Sequence, residues 1–356
     1  MGFRMQKQPG FFDLQYRLED ISKIGDPLVE LDRVIEWERF SPILRAARAK
    51  DCESRGVAGR AGRKPFPLLL MFKVLVLQGL NNLSDDQTEY MIKDRLSYMR
   101  FLGLSMEDPV PDAKTIWHYR EMFVRTGALE KLFKKFDRML SGKGYSARKG
   151  TIIDATIVNA PVQRNTREEN RQVKRGEVPE EWKENPSKLA QKDTDARWGN
   201  KHGTYTFGYK AHVATDVKNK FIRSVVTTSA EVHDSRVFGS LLAGTENSSR
   251  DVYADSGYVG SSDPLPEGYR AHVCHKGFRG HPLSESQARR NRRISRIRCR
   301  GEHPFGRMKC GMRLFVRSIG RVRAAARVLL GAMCYNFSRL VTLEKLKQGG
   351  HCVQSA

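Results

Sequence analysis

From about Phe12 to Gly144 the apolar residues recur at helical spacing. Asp26-Pro27 supplies an N-cap and a first-turn proline, followed by Leu28, Leu31, Val34 and Ile35 along one helix face. Pro67 opens a second apolar helix through Leu77. Ser84 with Gln87 has the form of a capping box ahead of Tyr90, Met91, Leu96 and Met99. Asp112 or Thr115 starts a further helix through Ile116, Tyr119 and Phe123, and Pro111 to Thr115 reads as a tight turn between two helices. That arrangement is compatible with a helix-turn-helix DNA reader carrying Lys114, His118 and Arg120 on its second helix. A helical bundle with ordinary surface charges fits the same pattern.

Around Gly142-Lys143-Gly144 the periodicity changes. Thr151 to Val158 is a short β-branched run, apolar on both faces except at Asp154, which predicts a central strand of a covered sheet. Residues 161–201 are charged with few apolar positions, and read as a long solvated excursion. Tyr205 to Thr215 and Phe221 to Thr228 predict a hairpin about Asp216–Lys220. Asp234 can cap a helix over Val237, Leu241 and Leu242. Asp251 to Asp255 predicts another strand, stopped by Ser256-Gly257, and Arg270 to His275 one more. Helices resume near Ser284, and Arg321 to Leu346 is long and amphipathic. The order implies an α/β layer in which helices pack on a mixed sheet. The expected division is a helical domain over 1–145, an α/β domain over 146–346 with its excursion at 161–201, and a tail over 347–356.

Composition narrows the partner. The chain has 356 residues, 39% hydrophobic and 29% charged, with a formal net charge of +23. Such an excess of lysine and arginine points to nucleic acid or another anionic surface. The basic residues are not confined to one amphipathic helix, which favours nucleic acid over a membrane surface. No apolar run approaches the roughly 18 residues that a spanning helix needs, so no membrane role is expected. Met1 to Gly10 lacks a signal-peptide core. The six cysteines form no C-x-x-C pair, which fits free thiols in a reducing, cytoplasmic setting.

Three carboxylates stand out against this background. Glu302 is the only acid between Ser286 and Arg327, a stretch with thirteen arginines and one lysine. A carboxylate repels the polyanion that such a block attracts, unless a cation lies between them. Asp154 interrupts an apolar strand and Asp255 ends one, and a buried carboxylate must find a cation, donors or a metal. Oxygen-only ligands of this kind suit Mg²⁺ or Mn²⁺, which also accept phosphate oxygens as ligands. A strand-end cap or a salt bridge is the plainer explanation for either aspartate alone.

With these residues on the page, the chain resembles the DDE transposases of bacterial insertion sequences, of the large group labelled IS-five. Arg298, Glu302 and Lys309 match that group's signature of Arg, three residues, Glu, six residues, Lys. Its usual tyrosine, three positions before the arginine, is Ser295 here. Ile153-Asp154-Ala155-Thr156 is similar to the first-aspartate strand, and Tyr253-Ala254-Asp255-Ser256-Gly257-Tyr258 to the second. Phe207 to His212 and Val232 to Ser235 resemble the middle segments, while Gly62-Arg63-Lys64-Pro65 and Pro111-Asp112 with Thr115 resemble the N-terminal helical domain. The resemblance runs from about Phe11 to Leu343.

The resemblance implies an RNase H-like mixed sheet flanked by helices, preceded by an all-helical DNA-binding domain. It implies that Asp154, Asp255 and Glu302 hold Mg²⁺ or Mn²⁺, two ions in all, and act as the catalytic centre. Arg298 and Lys309 would bind phosphates, with Lys210, Lys114 and Arg120 as further candidate DNA contacts. Plain sheet surface is the simpler reading of Lys210. Trp198, in the polar excursion, could stack on an unpaired base or simply anchor the loop. The function implied is an insertion-sequence transposase: it binds terminal inverted repeats, cleaves double-stranded DNA at the element ends and joins the 3′-hydroxyl to target DNA. It would work as a homodimer or larger assembly on DNA, in the bacterial cytoplasm at the nucleoid. A hydrolysis-only nuclease of the same fold and a non-catalytic DNA-binding descendant of a transposase are the alternatives.

Overall fold

A computed structural model describes residues 10, 12–56, 64–161, 163–201, 203–243 and 249–352. Gly62 and Arg63 of the N-terminal motif lie outside the described residues, as do residues 1–9 and the last four of the tail. The chain divides into two units, one of residues 1–78, 83–122 and 340–356, the other of 79–82 and 123–339.

The first unit is helical: α1 Asp13–Ile24, α2 Pro27–Val34, α3 Ser41–Ser54, α4 Leu68–Asn81, α5 Asp85–Asp94, α6 Leu96–Leu102 and α7 Ala113–Arg125, the last residues of α4 and α7 belonging to the second unit. The local signals act as expected. Asp26 caps α2 by accepting from the Leu28 amide, and Ser84 and Gln87 form a reciprocal capping box on α5. A cluster of edge-on rings fills the centre, with Trp37 5.6 Å from Phe101 and Phe40 5.4 Å from Phe72. One expectation fails: ten residues, Gly103–Asp112, separate α6 from α7, so the connection is not a tight turn. Asp112 ends it as a cap, its Oδ1 accepting from the Thr115 amide at 2.6 Å.

The second unit holds α8 Ala128–Gly142, β1 Thr151–Asn159, α9 Arg167–Lys174, α10 Glu180–Lys183, α11 Pro186–Gln191, β2 Arg197–Lys201, β3 Thr204–Asp216, β4 Ile222–Ser229, β5 Asp251–Ala254, β6 Arg270–Val273, α12 Glu285–Arg298 and α13 Glu302–Gly306, and most of α14 Arg321–Cys352. β1 pairs antiparallel with β3 and parallel with β5; β4 pairs antiparallel with the far edge of β3, and β6 parallel with β5. The order β4-β3-β1-β5-β6 is the mixed sheet expected of an RNase H-like fold.

Paired residues share a face of a sheet. Ile153 pairs with Ala214, and that face packs on Val237, Phe238, Leu241, Leu242 and Tyr258. Asp154 pairs with Val213, and Val158 with Tyr209; farther along that opposite face Val158, Tyr209 and Ala211 pack on Val316, Ala324 and Val328. Apolar layers therefore cover both faces of β1, as its two-sided apolar sequence predicts.

The excursion is more ordered than its composition implies. Trp182 is fully buried, its Nε1 donating to Glu169 Oε1 at 2.7 Å. Glu169 also pairs with Lys192 at 3.1 Å, and that ammonium sits 5.2 Å from the Trp182 ring centroid. One tryptophan ringed by mutually satisfied charges replaces the apolar stripe that periodicity would detect. Buried Asp193 then ties the segment to the sheet, accepting from Tyr209 Oη at 2.6 Å and from the Gly320 amide at 3.2 Å. Truncating Trp182 to Ala should destabilise this segment by about 3–5 kcal/mol, the usual loss for a buried aromatic. Limited proteolysis should then cut between Gln163 and Gln191 while the sheet stays resistant; an unchanged digestion pattern would show that Trp182 is not the anchor.

Candidate functional site

The parallel register pairs Thr151 with Val252 and Ile152 with Tyr253. Two residues farther on, the same register brings Asp154 beside Asp255, just past the end of β5. Each carboxylate is fixed by a local amide: Asp154 Oδ1 accepts from Ala155 at 2.9 Å, and Asp255 Oδ1 from Gly257 at 2.8 Å. Asp255 thereby caps the short helical turn Ser256–Tyr258. Two carboxylates this close repel, and a cation must stand between them. Here it is Arg298, whose guanidinium lies 4.0 Å from Asp154 and 3.8 Å from Asp255. Those separations exceed hydrogen-bond length, so the attraction is Coulombic. The Arg298 Nε is buried and makes no hydrogen bond within the protein.

Arg298 is the last residue of α12, which Ser284 and Gln287 open with a capping box. The chain then tightens through the 3₁₀ turn Cys299–Gly301, resumes as α13 from Glu302, and widens into a π-type turn over Arg307–Gly311. Pro304 sits in the first turn of α13, where its missing N–H costs least. Arg298, Glu302 and Lys309 therefore do not lie along one ideal helix. Glu302 and Lys309 are both exposed. Gly301 seats this segment on the sheet: a Cβ there would lie 2.8 Å from Ile152 Cγ2, on a stiff β-branched side chain of β1. Its sequence signal was only that of a helix breaker; its packing role needs the tertiary structure.

Lys210 and His212 lie on the opposite sheet face from Asp154, because His212 pairs with Ala155 and Lys210 with Ile157. The Lys210 ammonium donates to Asp234 at 2.8 Å and to the Val232 carbonyl at 2.7 Å. His212 is fully buried, bonded through Nε2 to Thr228 Oγ1 at 2.9 Å, with Nδ1 4.0 Å from Asp234. Burial pushes its pKa down to about 4, against the opposing pull of Asp234 and with the help of Lys210. The helix cap at Asp234–Val237 comes from His233, whose Nδ1 accepts from the Ser235 amide. Tyr258, absent from the sequence-level site, is buried with its hydroxyl unpaired. Its pKa is raised by burial above all, then by Asp234, Asp154 and Asp255.

The remaining candidates are dispersed. Lys114 is exposed on the first turn of α7. Arg120 is half-buried and forms a forked ion pair with Asp85, one arm at 2.8 Å, so its charge is already spent within the helical unit. Trp198 is half-buried in β2, donating to the Asn165 carbonyl at 2.9 Å and packed 5.5 Å from Phe207. Among the described residues no three His, Cys, Asp or Glu side chains are gathered to hold a metal ion as they stand. The donor chemistry of the aspartate pair nevertheless suits a hard divalent cation: two carboxylates converge where a positive charge is already required.

A family model described as "Transposase DDE domain" matches residues 145–337, more than half of the chain, and "Transposase domain (DUF772)" matches residues 16–122. Among solved structures, the chain is similar to a cryo-EM structure of the piggyBac transposase synaptic complex with hairpin DNA. Identity is 13% and the TM-score 0.46, over 93% of this chain and 77% of that chain. No helix among the described residues is long and apolar enough to cross a membrane.

The pH response of His212 follows from its burial. Its folded pKa, about 4, lies below the ordinary value of 6.5, so on acidification the unfolded chain takes up the proton first. The contribution of neutral His212 is full above about pH 6.5 and should be lost as pH falls towards 4, a loss on the order of 3 kcal/mol. Urea midpoints across that range should fall more steeply for the native chain than for His212→Gln; parallel curves would contradict this.

Proposed function

The chain belongs to the transposase DDE-domain family, and on that premise we propose an insertion-sequence transposase of the IS-five group. It binds the terminal inverted repeats of its element, cleaves DNA at the ends and joins the freed 3′-hydroxyl to target DNA. The observation that carries this reading is the meeting of Asp154 and Asp255 at Arg298, the arginine of the family signature. Residues 1–145 would hold the ends and residues 146–346 would perform the chemistry.

Asp154, Asp255 and Glu302 are the residues that would hold two Mg²⁺ or Mn²⁺ ions. When bound, such ions supply Lewis-acid stabilisation of the phosphate and an activated hydroxyl nucleophile. The chain's own part is positional. Hydrogen bonds donated by the Ala155 and Gly257 amides hold the two aspartates ready, and Gly301 lets Glu302 follow directly after a turn seated on β1. Arg298 lies within 4.0 Å of both carboxylates and would take a phosphate oxygen if a divalent cation neutralised them. Lys309 and the exposed arginines of the segment, such as Arg300 and Arg307, neutralise the DNA backbone, so affinity should fall steeply with salt. Handling two ends together requires a dimer or larger assembly on DNA.

Purified protein incubated with Mg²⁺, labelled DNA bordering its coding region and supercoiled plasmid should yield joined products. Nicks alone would indicate a nuclease, and a shifted band without either a DNA-binding protein. Asp154→Asn, Asp255→Asn and Glu302→Gln should each abolish cleavage while retaining end binding; normal cleavage by any one removes that residue from the centre. Gly301→Ala should cost about 1–3 kcal/mol through overpacking against Ile152. By displacing Glu302 it should slow joining roughly ten- to a hundredfold with end binding intact. Undiminished joining would mean that the Gly301 contact does not position Glu302.

A further inference from the structure

A second site lies within the second unit, built from the excursion and the β2–β3 hairpin. Trp198 pairs with Phe207, and Asn200 with Tyr205, so Trp198, Tyr205 and Phe207 all project from one face of this ribbon. Phe207 is buried at its base, Trp198 is half-buried above it, and Tyr205 is 62% exposed at the outer end. The start of α9 closes the other side, leaving a cleft of about 520 Å³. That volume is in the usual range for a small-molecule subsite, about 300–1,000 Å³.

The cleft's polar wall is unusual. Asn165 is 1% exposed and Asn170 9% exposed, yet the Oδ1 atom of each is buried and makes no hydrogen bond within the protein. Asn165 has its Nδ2 committed to the Asp193 carbonyl at 3.1 Å, so the atom left over is an acceptor. A buried acceptor without a partner costs about 1–3 kcal/mol, which a ligand bearing N–H donors would recover. Arg167, Arg171 and Lys174 follow at four- and three-residue steps along the exposed side of α9 and line the same cleft. Lys174 pairs with Glu231, while Arg167 and Arg171 form no ion pair among the described residues. Aromatic faces, unmet acceptors and flanking guanidinium groups together describe a nucleotide: a base to stack, exocyclic amines to donate, a phosphate to pair.

We propose that this cleft between α9 and the β2–β3 hairpin binds an unpaired nucleotide of single-stranded DNA. Its base stacks on Tyr205 and the exposed part of Trp198, and its phosphates meet Arg167 and Arg171. The inference rests on the DNA-processing reading above and assigns to the excursion the strand that separates from the duplex at an element end.

The test uses the full chain in EDTA, without divalent cation. A fluorescein-labelled single strand of mixed sequence and its duplex are titrated by anisotropy. Tyr205→Ala should weaken single-strand binding about tenfold and duplex binding by no more than about twofold. The double variant Arg167→Gln, Arg171→Gln should reduce the single-strand salt slope by about 1.4, or 0.7 per charge. A strand carrying 2-aminopurine should be quenched by the native chain and not by Tyr205→Ala. Equal losses on both DNA forms, or no loss on the single strand, would overturn the proposal. If Tyr205→Ala did not fold, the surface arginine pair would still decide it. Since no cleavage occurs in EDTA, failure here leaves the joining assay standing, and failure of joining leaves this binding measurement standing.

Discussion

Two carboxylates held side by side at the end of a parallel strand pair repel one another, and the placement of Arg298 at the end of α12 answers that repulsion. At an effective dielectric typical of protein surfaces, like charges a few ångströms apart cost on the order of a few kcal/mol. The β1–β5 register sets the backbones of Asp154 and Asp255 side by side. Arg298 supplies the cation, but at separations too long for hydrogen bonds and with its Nε unpaired. A neutralisation that loose is easily exchanged for another cation. The same geometry is why the position suits a hard divalent cation.

Elsewhere the sheet pairs its buried charges within hydrogen-bond distance. Asp216 is fully buried, accepting from the Asn219 and Phe221 amides and pairing with Arg223 at 3.1 Å. Arg223 also reaches Asp137 at 2.7 Å and the Tyr145 carbonyl. Burial raises the pKa of Asp216, and Arg223 works against that rise. Such networks contribute little net stability but penalise alternative pairings heavily. Lys210 belongs to this class, its ammonium paired with Asp234 at 2.8 Å.

The arginine-rich segment combines a rigid entry with a deformable exit. A fourteen-residue capped helix delivers Arg298, after which 3₁₀, α and π turns succeed one another over thirteen residues. Gly301, Pro304 and Gly306 account for those changes in pitch through their missing side chains or amide. Close seating of Gly301 on Ile152 then decides where Glu302 begins. A regular helix would have aligned Arg298, Glu302 and Lys309 by phase alone; here packing against the sheet sets their directions instead.

How much was legible beforehand depends on the range of the interaction involved. Caps at Asp26 and Ser84, the β1 and β5 strands, the hairpin about Asp216–Lys220 and the mixed α/β class are written in neighbouring residues, because turns, caps and periodicity act over a few positions. The oddity of Asp154 within an apolar strand was visible for the same reason. The fold of the excursion was hidden, since Trp182 is held by a hydrogen bond to Glu169 and by the Lys192 ammonium over its ring rather than by an apolar stripe. The commitments of Arg120 to Asp85 and of Lys210 to Asp234 were equally hidden, being 35 and 24 residues distant. Outside the excursion, sequence by itself marked most helices and strands, and it determined which charges the chain carries. Only the tertiary structure decided which charges neutralise each other, because Coulombic partners are chosen by distance in space and not along the chain.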